Sequence, residues 1–175
     1  MCNNQFLSPH FRLQEFTESP TARKRGIDNT PTEEVVGNLT RLCEGTLEPL
    51  REKLGLPIVI TSGYRTQALN SLLAHSSKRS QHMVGMAADF YVAQGRVQGS
   101  KFKVQGLSHR ELLVKAFKTI LQDPTIDYDQ VILYPSFIHV SYVSKERNRH
   151  GILKAQGNGK LGYGRLTLEN ALLIV

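Results

Sequence analysis

The stretch of residues 80–92 constrains the fold of this chain more than any other part of the sequence. It contains His82, Gly85 and Asp89, and the residues that follow, Phe90 and Tyr91, begin a strand-like segment. In one continuous helix the His82 and Asp89 side chains would lie about 10 Å apart along the axis. A turn at Gly85 can instead fold the loop that carries His82 onto the strand that carries Asp89. The stretch therefore predicts a loop, a tight turn and a strand, with the two side chains facing each other.

A second histidine lies in another strand-like segment, residues 137–142. Strand alternation sends Ile138 and Val140 to one face and His139 and Ser141 to the other. Two imidazoles and one carboxylate leave a fourth position of a zinc ion open, which is typical of catalytic zinc sites. We therefore expect Zn²⁺ to be bound by His82, Asp89 and His139, with a water molecule in the open position.

The pattern Ser-x-His-x-x-Gly-x-Ala-x-Asp at residues 80–89, with a later histidine in a strand, resembles the zinc D-Ala-D-Ala carboxypeptidases and related peptidoglycan peptidases of the M15 type. Other matching motifs precede it in the same order: Leu-Ser-Pro-His-Phe from residue 7, Gly-Ile-Asp-Asn from 26, Leu-Glu-Pro-Leu-Arg from 47 and Thr-Ser-Gly-Tyr-Arg from 61. The resemblance covers roughly residues 7–142. Several spaced motifs in one order are more specific than any single motif.

The resemblance implies a zinc metallopeptidase that hydrolyses a peptide bond next to a D-amino acid in bacterial peptidoglycan, as a carboxypeptidase or as an endolysin-type endopeptidase. Its partner would be a stem peptide or muropeptide. Arg65 would bind a substrate carboxylate or the oxyanion of the transition state, and Ser80 and Gln81 would bind the peptide. Without the resemblance, an arginine paired with a surface acid is the more common arrangement.

The expected general base is missing from the sequence. The family usually has a glutamate shortly before the last histidine, whereas residues 130–138 contain no acid. Tyr134 is the catalytic candidate in this region, as a base or as a hydrogen-bond donor to the oxyanion, although a tyrosine with a pKa of about 10 is a poor base. Asp127 and Asp129 are the nearest acids. The alternative is a catalytically impaired, zinc-containing binding module of the same fold.

The net charge of +7 and the pI near 9.6 indicate an anionic partner or simply a solvated surface. Nucleic acid is not the expected partner, because the basic residues are scattered and no recognised nucleic-acid module is present. The anionic bacterial wall fits the same charge. The oligomeric state stays open.

The chain lacks an apolar run of the ~20 residues that a membrane helix needs, and no Sec-type signal is visible. We expect synthesis in the cytoplasm, with access to the wall after release, as for a phage-type endolysin.

Cys2 and Cys43 give no disulfide framework. His75 lies seven residues before His82 and is interpreted as a bystander rather than a ligand.

The predicted fold class is α+β, with helices packed on a central antiparallel sheet, and the resemblance implies a hedgehog or DD-peptidase type of fold. The sheet comprises residues 58–62, 88–92, 131–134 and 138–142. The last two strands are joined too tightly for a parallel crossover. Helices are predicted at residues 31–54, where Thr30 could cap and Pro49 could divide the helix, and at 112–122 after a capping box at Ser108. A further short helix is predicted at 67–74, with Leu69, Leu72 and Leu73 facing inward.

Two further segments lie outside this scheme. Residues 94–106 are interpreted as an exposed hairpin or insertion. A single domain is predicted at residues 1–143, followed by a Gly-rich C-terminal tail at 144–175, in which the glycine spacing argues against a regular core element. The apolar end of the tail docks either on the domain or on a neighbouring molecule.

Overall fold

The computed structural model describes residues 5–74, 76–94, 106–155 and 163–175. Cys2, His75 and most of the predicted hairpin at 94–106 lie outside these residues. The described chain is an α+β structure with a two-stranded and a six-stranded sheet, which confirms the predicted fold class. The strands are β1 Phe6–Ser8, β2 Phe11–Arg12, β3 Ile58–Ser62, β4 Ala87–Val92, β5 Gln130–Leu133, β6 Ile138–Ser141, β7 Gly151–Ala155 and β8 Tyr163–Arg165.

The large sheet has the strand order β3-β4-β6-β5-β7-β8. The four predicted strands are all present, and each pairs antiparallel with its neighbour among them. The sheet is nevertheless mixed, because β7 pairs parallel with β5. The chain leaves β6 beside the start of β5, since the two strands are antiparallel. A short connection can therefore place β7 alongside β5 in the same direction without a long crossover.

The helices are α1 Leu13–Thr17, α2 Pro20–Arg25, α3 Glu33–Leu42, α4 Glu48–Leu54, α5 Gln67–Leu72, α6 His109–Gln122 and α7 Leu168–Leu172. The long predicted helix is divided by a π-helical turn at Cys43–Leu47, which ends two residues before Pro49. Proline lacks an N–H and its ring clashes with the carbonyl four residues earlier, which explains the wider turn. Thr32 caps α3, so the prediction of Thr30 as the cap was wrong.

The capping box predicted at Ser108 is present at the start of α6. Leu69 of α5 is buried as predicted, but Leu72 is exposed, so its predicted inward orientation was wrong. Helix α5 ends at Leu72 after only six residues, and its buried side is limited to Leu69 and Asn70.

One face of the large sheet packs against α6 and the other carries the candidate site. The core face contributes Phe90, Val131, Leu133, Ile138 and Val140, all of which are buried in one hydrophobic cluster with the inner side of α6. Strand alternation turns the residues in between to the opposite face. That face is the one on which the polar side chains of β4, β5 and β6 lie.

The N-terminal segment packs into the same core and touches β3. Phe11 and Phe16 are fully buried and contact each other edge to face. The Tyr64 N–H donates to the Phe16 carbonyl at 2.7 Å. A side chain at Gly63 would place its Cβ only 2.5 Å from the Phe16 backbone. The close approach of the two backbones therefore requires glycine at this position.

The C-terminal segment contains regular elements, which corrects the expectation drawn from its glycines. Ile152 of β7 is buried against β5, and Ala171 of α7 is buried beside α6. The strand begins at Gly151, before the glycine-rich stretch, so the glycines at 157–162 do not interrupt it. Leu173 and Val175 stay exposed. The division into a domain at 1–143 and a tail at 144–175 stays a prediction.

Candidate metal centre

The loop that carries His82 is a 3₁₀ turn at Gln81–Val84, and it ends at Gly85 with φ of 72°. This left-handed conformation favours glycine, and a Cβ would lie 2.7 Å from the Val35 carbonyl oxygen. The chain then enters β4 at Ala87. The loop, turn and strand therefore follow in the order that the sequence predicts.

The pairing of β4 with β6 brings the carboxylate and the second imidazole together. Asp89 and His139 are directly opposite each other in this antiparallel pair. Both therefore lie on the same face of the sheet. The 3₁₀ turn places His82 above this pair, and its imidazole ring centre lies 5.0 Å from that of His139.

Three donor atoms converge at this point. His139 Nδ1 lies 2.8 Å from Asp89 Oδ1, His82 Nε2 lies 3.3 Å from the same oxygen, and the two imidazole nitrogens lie 3.2 Å apart. Donors that share one zinc ion at bond lengths of 2.0–2.1 Å are separated by about 3 to 3.5 Å. The set therefore has the spacing of ligands on one metal ion, and these three residues could hold one.

The second nitrogen of His82 fixes which atom faces the other two groups. Its Nδ1 donates to the Gly63 carbonyl at 2.7 Å, and the side chain is almost fully buried. With the proton on Nδ1, the lone pair is on Nε2, which points towards Asp89. Metal-binding histidines are commonly oriented by such a carbonyl. The close contact between Gly63 and Phe16 thus supports the orientation of His82.

Burial and mutual contacts also set the charge states. Burial lowers the pKa of His82, so that the neutral imidazole required of a metal ligand is favoured. Burial would raise the pKa of Asp89, but the contacts with His82 and His139 outweigh it and hold the pKa below its ordinary range. The site thus presents an ionised carboxylate and a neutral imidazole at neutral pH. This donor set fits a divalent cation such as zinc.

The three donors open onto a cavity of about 540 Å³. Arg65, Ser80, Gln81 and Tyr134 also line it, so the structure brings every predicted site residue to one pocket. Among the pocket-lining residues that the structure describes, Asp89 is the one carboxylate.

Arg65 lies beside the converging donors with part of its hydrogen-bonding capacity unused. Its Nη2 donates to Ser80 Oγ at 3.2 Å, and its backbone N–H donates to the His82 carbonyl at 3.2 Å. Its Nε is buried and has no partner within the described parts of the chain. Burial lowers the pKa of the guanidinium, although Asp89 and Tyr134 oppose this effect. A cation in this state is well suited to bind an anionic group in the pocket.

Tyr134 follows β5 and stacks on Phe137, with the ring centres 4.2 Å apart and the planes at 14°. The tight connection between β5 and β6 places the two rings together, and the Tyr134 N–H donates to the Phe137 carbonyl at 3.0 Å. The pair forms an aromatic wall of the pocket beside His139. The predicted Tyr134 therefore lies where it could contact a bound peptide.

Asp129, Arg149 and Gln81 form a second polar cluster, which the sequence did not predict. Asp129 is 1% exposed and accepts from Arg149 Nε at 2.8 Å, from Arg149 Nη2 and from Gln81 Nε2 at 2.9 Å. Burial would raise the pKa of Asp129, but these hydrogen bonds and the Arg149 charge lower it to about 2. The Gln81 amide, predicted to bind substrate, is thus already engaged with Asp129.

Neither of the two acids nearest to Tyr134 in sequence is available as a base. Asp129 accepts hydrogen bonds from Arg149 and Gln81 through both of its oxygens, and Asp127, which contacts His150 Nε2 at 3.0 Å, lines a different cavity from that of the metal centre. Arg149 was not predicted as a pocket residue, because it follows β6 in a charged segment, Lys-Glu-Arg-Asn-Arg, that is typical of an exposed surface. No pattern in the sequence indicated its pairing with Asp129.

The converging donors at the wall of an open pocket define a candidate metal centre. The model of the family described as Peptidase M15 matches residues 9–141. The chain belongs to this family, and its class is that of the metallopeptidases. A comparison with curated proteins found no match.

Over residues 5–74, 76–94, 106–155 and 163–175, every helix is too short or too polar to cross a membrane.

Proposed function

We propose that the protein is a zinc metallopeptidase that hydrolyses a peptide bond next to a D-amino acid in the stem peptides of bacterial peptidoglycan. The observation that carries the proposal is the convergence of His82, Asp89 and His139 at the wall of a pocket that also contains Arg65, in a member of the M15 family. The positive net charge suits an anionic wall, which the protein would meet after release from the cell that makes it.

The three converging residues would hold the zinc ion. When bound, zinc supplies a Lewis acid that polarises the scissile carbonyl and makes a water molecule acidic enough to react near neutral pH. The chain orients this site through Gly63, whose carbonyl fixes His82, and through the β4–β6 register, which fixes Asp89 against His139.

Arg65 would bind the negative charge of the substrate. Its guanidinium is held by Ser80 on one side, and its unpaired Nε can donate to a terminal carboxylate or to the oxyanion that develops on the scissile carbonyl. Because the guanidinium is partly buried, such a bond is stronger than it would be in water.

Tyr134 would donate a hydrogen bond to the reacting carbonyl or carry a proton there, and its ring would pack against the peptide. The described pocket offers no free carboxylate for the proton, since its one acid belongs to the metal centre. General acid–base help is typically worth ~10²–10⁴ in rate. We therefore expect slow but measurable hydrolysis.

The lack of a free carboxylate also favours the second candidate, a zinc-containing binding module that does not hydrolyse its ligand. The test compares wild type, Tyr134→Phe, Tyr134→Glu and His139→Ala on a peptide ending in D-Ala-D-Ala and on a muropeptide, with and without a chelator. Tyr134→Phe isolates the contribution of the hydroxyl, because it keeps the stacked ring and removes only that group.

We expect wild type to cleave at least one substrate, the chelator and His139→Ala to abolish cleavage, and Tyr134→Phe to lower kcat by about 10²-fold. If wild type with a full complement of zinc does not exceed the buffer blank on either substrate, the hydrolase proposal fails. Retained binding of the uncleaved muropeptide would then establish the binding module.

A further inference from the structure

We propose that Arg149 is a second substrate-binding cation of the pocket, which recognises a carboxylate on the peptide about two residues from the scissile bond. The inference rests on the proposed function, because it assumes that a peptide lies across the metal centre. It adds a determinant of specificity to the same pocket, separate from Arg65.

The first observation is that Arg149 is held rigidly. Asp129 accepts both from its backbone N–H, at 2.9 Å, and from its Nε, at 2.8 Å, while Nη2 bonds the second carboxylate oxygen. This bidentate geometry fixes the plane of the guanidinium. Because Asp129 is buried, its carboxylate is not free to move as an exposed side chain is. Little side-chain entropy is then lost when Arg149 binds a ligand.

The second observation is that the fixed guanidinium keeps donors for a ligand. Its side chain is 63% exposed and lines the same cavity as the metal centre. Nε and Nη2 are used by Asp129 and Gln81, and Nη1 makes no hydrogen bond with the parts of the chain that the structure describes. A guanidinium has five N–H donors, so both N–H groups of Nη1 remain for an acceptor in the pocket. A carboxylate is the acceptor that matches them best.

The third observation gives the distance from the reacting bond. Ser141 Oγ lies 3.4 Å from Asp129 Oδ2, and Ser141 is two residues after His139 on the same face of β6. Two residues along a strand span about 7 Å. An extended peptide that passes the metal centre has the same rise, so the group that reaches Arg149 belongs to the second residue from the scissile bond.

The pocket contains a further arginine without such an anchor, Arg79. Arg79 lines the same pocket, but its side chain is exposed on the loop before the 3₁₀ turn and has no carboxylate partner in the described structure. An unanchored arginine contributes general positive charge, which salt screens. An arginine that is held by a carboxylate presents its hydrogen-bond donors at a fixed position, and donors at a fixed position can discriminate a carboxylate from an amide.

The test uses two peptides that differ only in this group, acetyl-Glu-D-Ala-D-Ala and acetyl-Gln-D-Ala-D-Ala, with the last peptide bond replaced by a ketomethylene isostere that cannot be hydrolysed. Their Kd values are measured with the full-length chain by NMR titration. We expect the Glu peptide to bind wild type about tenfold more tightly than the Gln peptide. Because cleavage is impossible, the result does not depend on catalytic activity.

Two variants remove the proposed contact without leaving a lone buried charge. In Arg149→Lys the single ammonium can pair with Asp129 but has no second nitrogen for the ligand. In Asp129→Asn/Arg149→Gln both charges are absent. We expect the Glu/Gln preference to fall to about one in both, with unchanged circular dichroism, and to persist in the matched control Arg79→Gln.

Each alternative result overturns the inference. A wild-type preference near one, a preference that survives in both Arg149 variants, or an equal loss in Arg79→Gln would show that no fixed contact exists at this position. If the preference behaves as expected but the corresponding hydrolysable peptides stay intact, the proposed hydrolysis fails and the binding role of Arg149 stands.

Discussion

Two carboxylates close to the pocket have different surroundings, which give them different chemistry. Asp89 faces two imidazole nitrogens at 2.8 and 3.3 Å in a set that opens onto the pocket. Asp129 faces a guanidinium and an amide that use both of its oxygens. The first carboxylate is part of a convergent donor set, and the second is a closed ion pair.

An acid near a reactive centre is therefore not necessarily a general base. Asp129 is close to the metal centre through Gln81 and Ser141. Its pKa of about 2 and its saturated hydrogen bonds nevertheless leave it no means to accept a proton from water at neutral pH. The hydrogen bonds that each carboxylate already accepts distinguish the two roles, whereas the distance of the carboxylate from the metal centre does not.

The largest expected effect comes from breaking the convergent set. Replacing His82 by alanine removes one of three metal ligands, and we expect bound zinc to fall from about one per chain to less than about one tenth at micromolar zinc. Elemental analysis of the purified variant measures this. Asp129→Asn, which leaves the donor set intact, is the control. Full zinc occupancy in His82→Ala would refute the ligand assignment.

A second, smaller effect is expected from the support of His82. In Gly63→Ala the added methyl group would lie 2.5 Å from the Phe16 backbone, so β3 and α1 must separate. We expect a loss of about 3 kcal/mol in the free energy of unfolding and ~10–100-fold weaker zinc binding, since the carbonyl that orients His82 moves. Urea denaturation and zinc titration test the two parts.

The matched control for this variant is Gly37→Ala, at a helical glycine whose added methyl group would meet only the Arg41 side chain at 3.8 Å. It should be neutral or slightly stabilising, because alanine favours helix. Equal zinc affinity in wild type and Gly63→Ala would argue against the role of the Gly63 carbonyl.

Breaking the closed pair should affect stability more than metal binding. Arg149→Ala leaves the buried Asp129 without its cation, and we expect a loss of about 2–3 kcal/mol. The double variant Asp129→Asn/Arg149→Gln should recover most of this loss, because no charge remains buried. Thermal and urea unfolding measure the recovery. A double variant as unstable as Arg149→Ala would mean that lost packing, not an unpaired charge, causes the effect.

The smallest effect concerns pH. The pKa of Asp129 is about 2 in the folded protein and about 4 in the unfolded chain, so the folded state favours the ionised form. The stabilisation is fully present above pH 4 and is lost as the pH falls towards 2. We expect about 1 kcal/mol after allowing for the solvent exposure of Arg149. Unfolding of Asp129→Asn should depend less on pH in this window; an identical pH dependence would contradict the assignment.

The same contrast explains how much the sequence could predict. Gly85, the strand alternation around His139 and the tight β5–β6 connection are local signals, and they placed Asp89 and His139 on strands; the direct pairing of these two residues between β4 and β6 was not predicted. These signals predicted the four antiparallel strands and the convergent donor set. Each depends on residues close together in the chain or on a repeating pattern.

Local signals could not predict the Asp129–Arg149 ion pair or the parallel pairing of β7 with β5. Arg149 pairs with a residue 20 positions earlier, and nothing in the run of charges at 145–149 distinguishes it from its neighbours. The β5–β7 pairing likewise follows from where the chain leaves β6, a tertiary feature without a local sequence pattern. The exposed Leu72 shows the converse, since its helical spacing predicted burial but α5 ends there.

The contact of Gly63 with Phe16 has a consequence for the dynamics of the N-terminal segment. One peptide unit of the chain accepts from His82 through its carbonyl and, through the Tyr64 N–H, donates to Phe16. If docking of α1 favours the metal-binding orientation of His82, a ligand that favours this orientation stabilises the docked position of α1 by the same coupling free energy. Loading the centre with zinc should therefore slow hydrogen exchange at the Tyr64 amide, while the amides of α7, which is remote from this peptide unit, should exchange at unchanged rates. Hydrogen exchange at the contact with α1 would then indicate zinc binding, although α1 itself does not touch the metal.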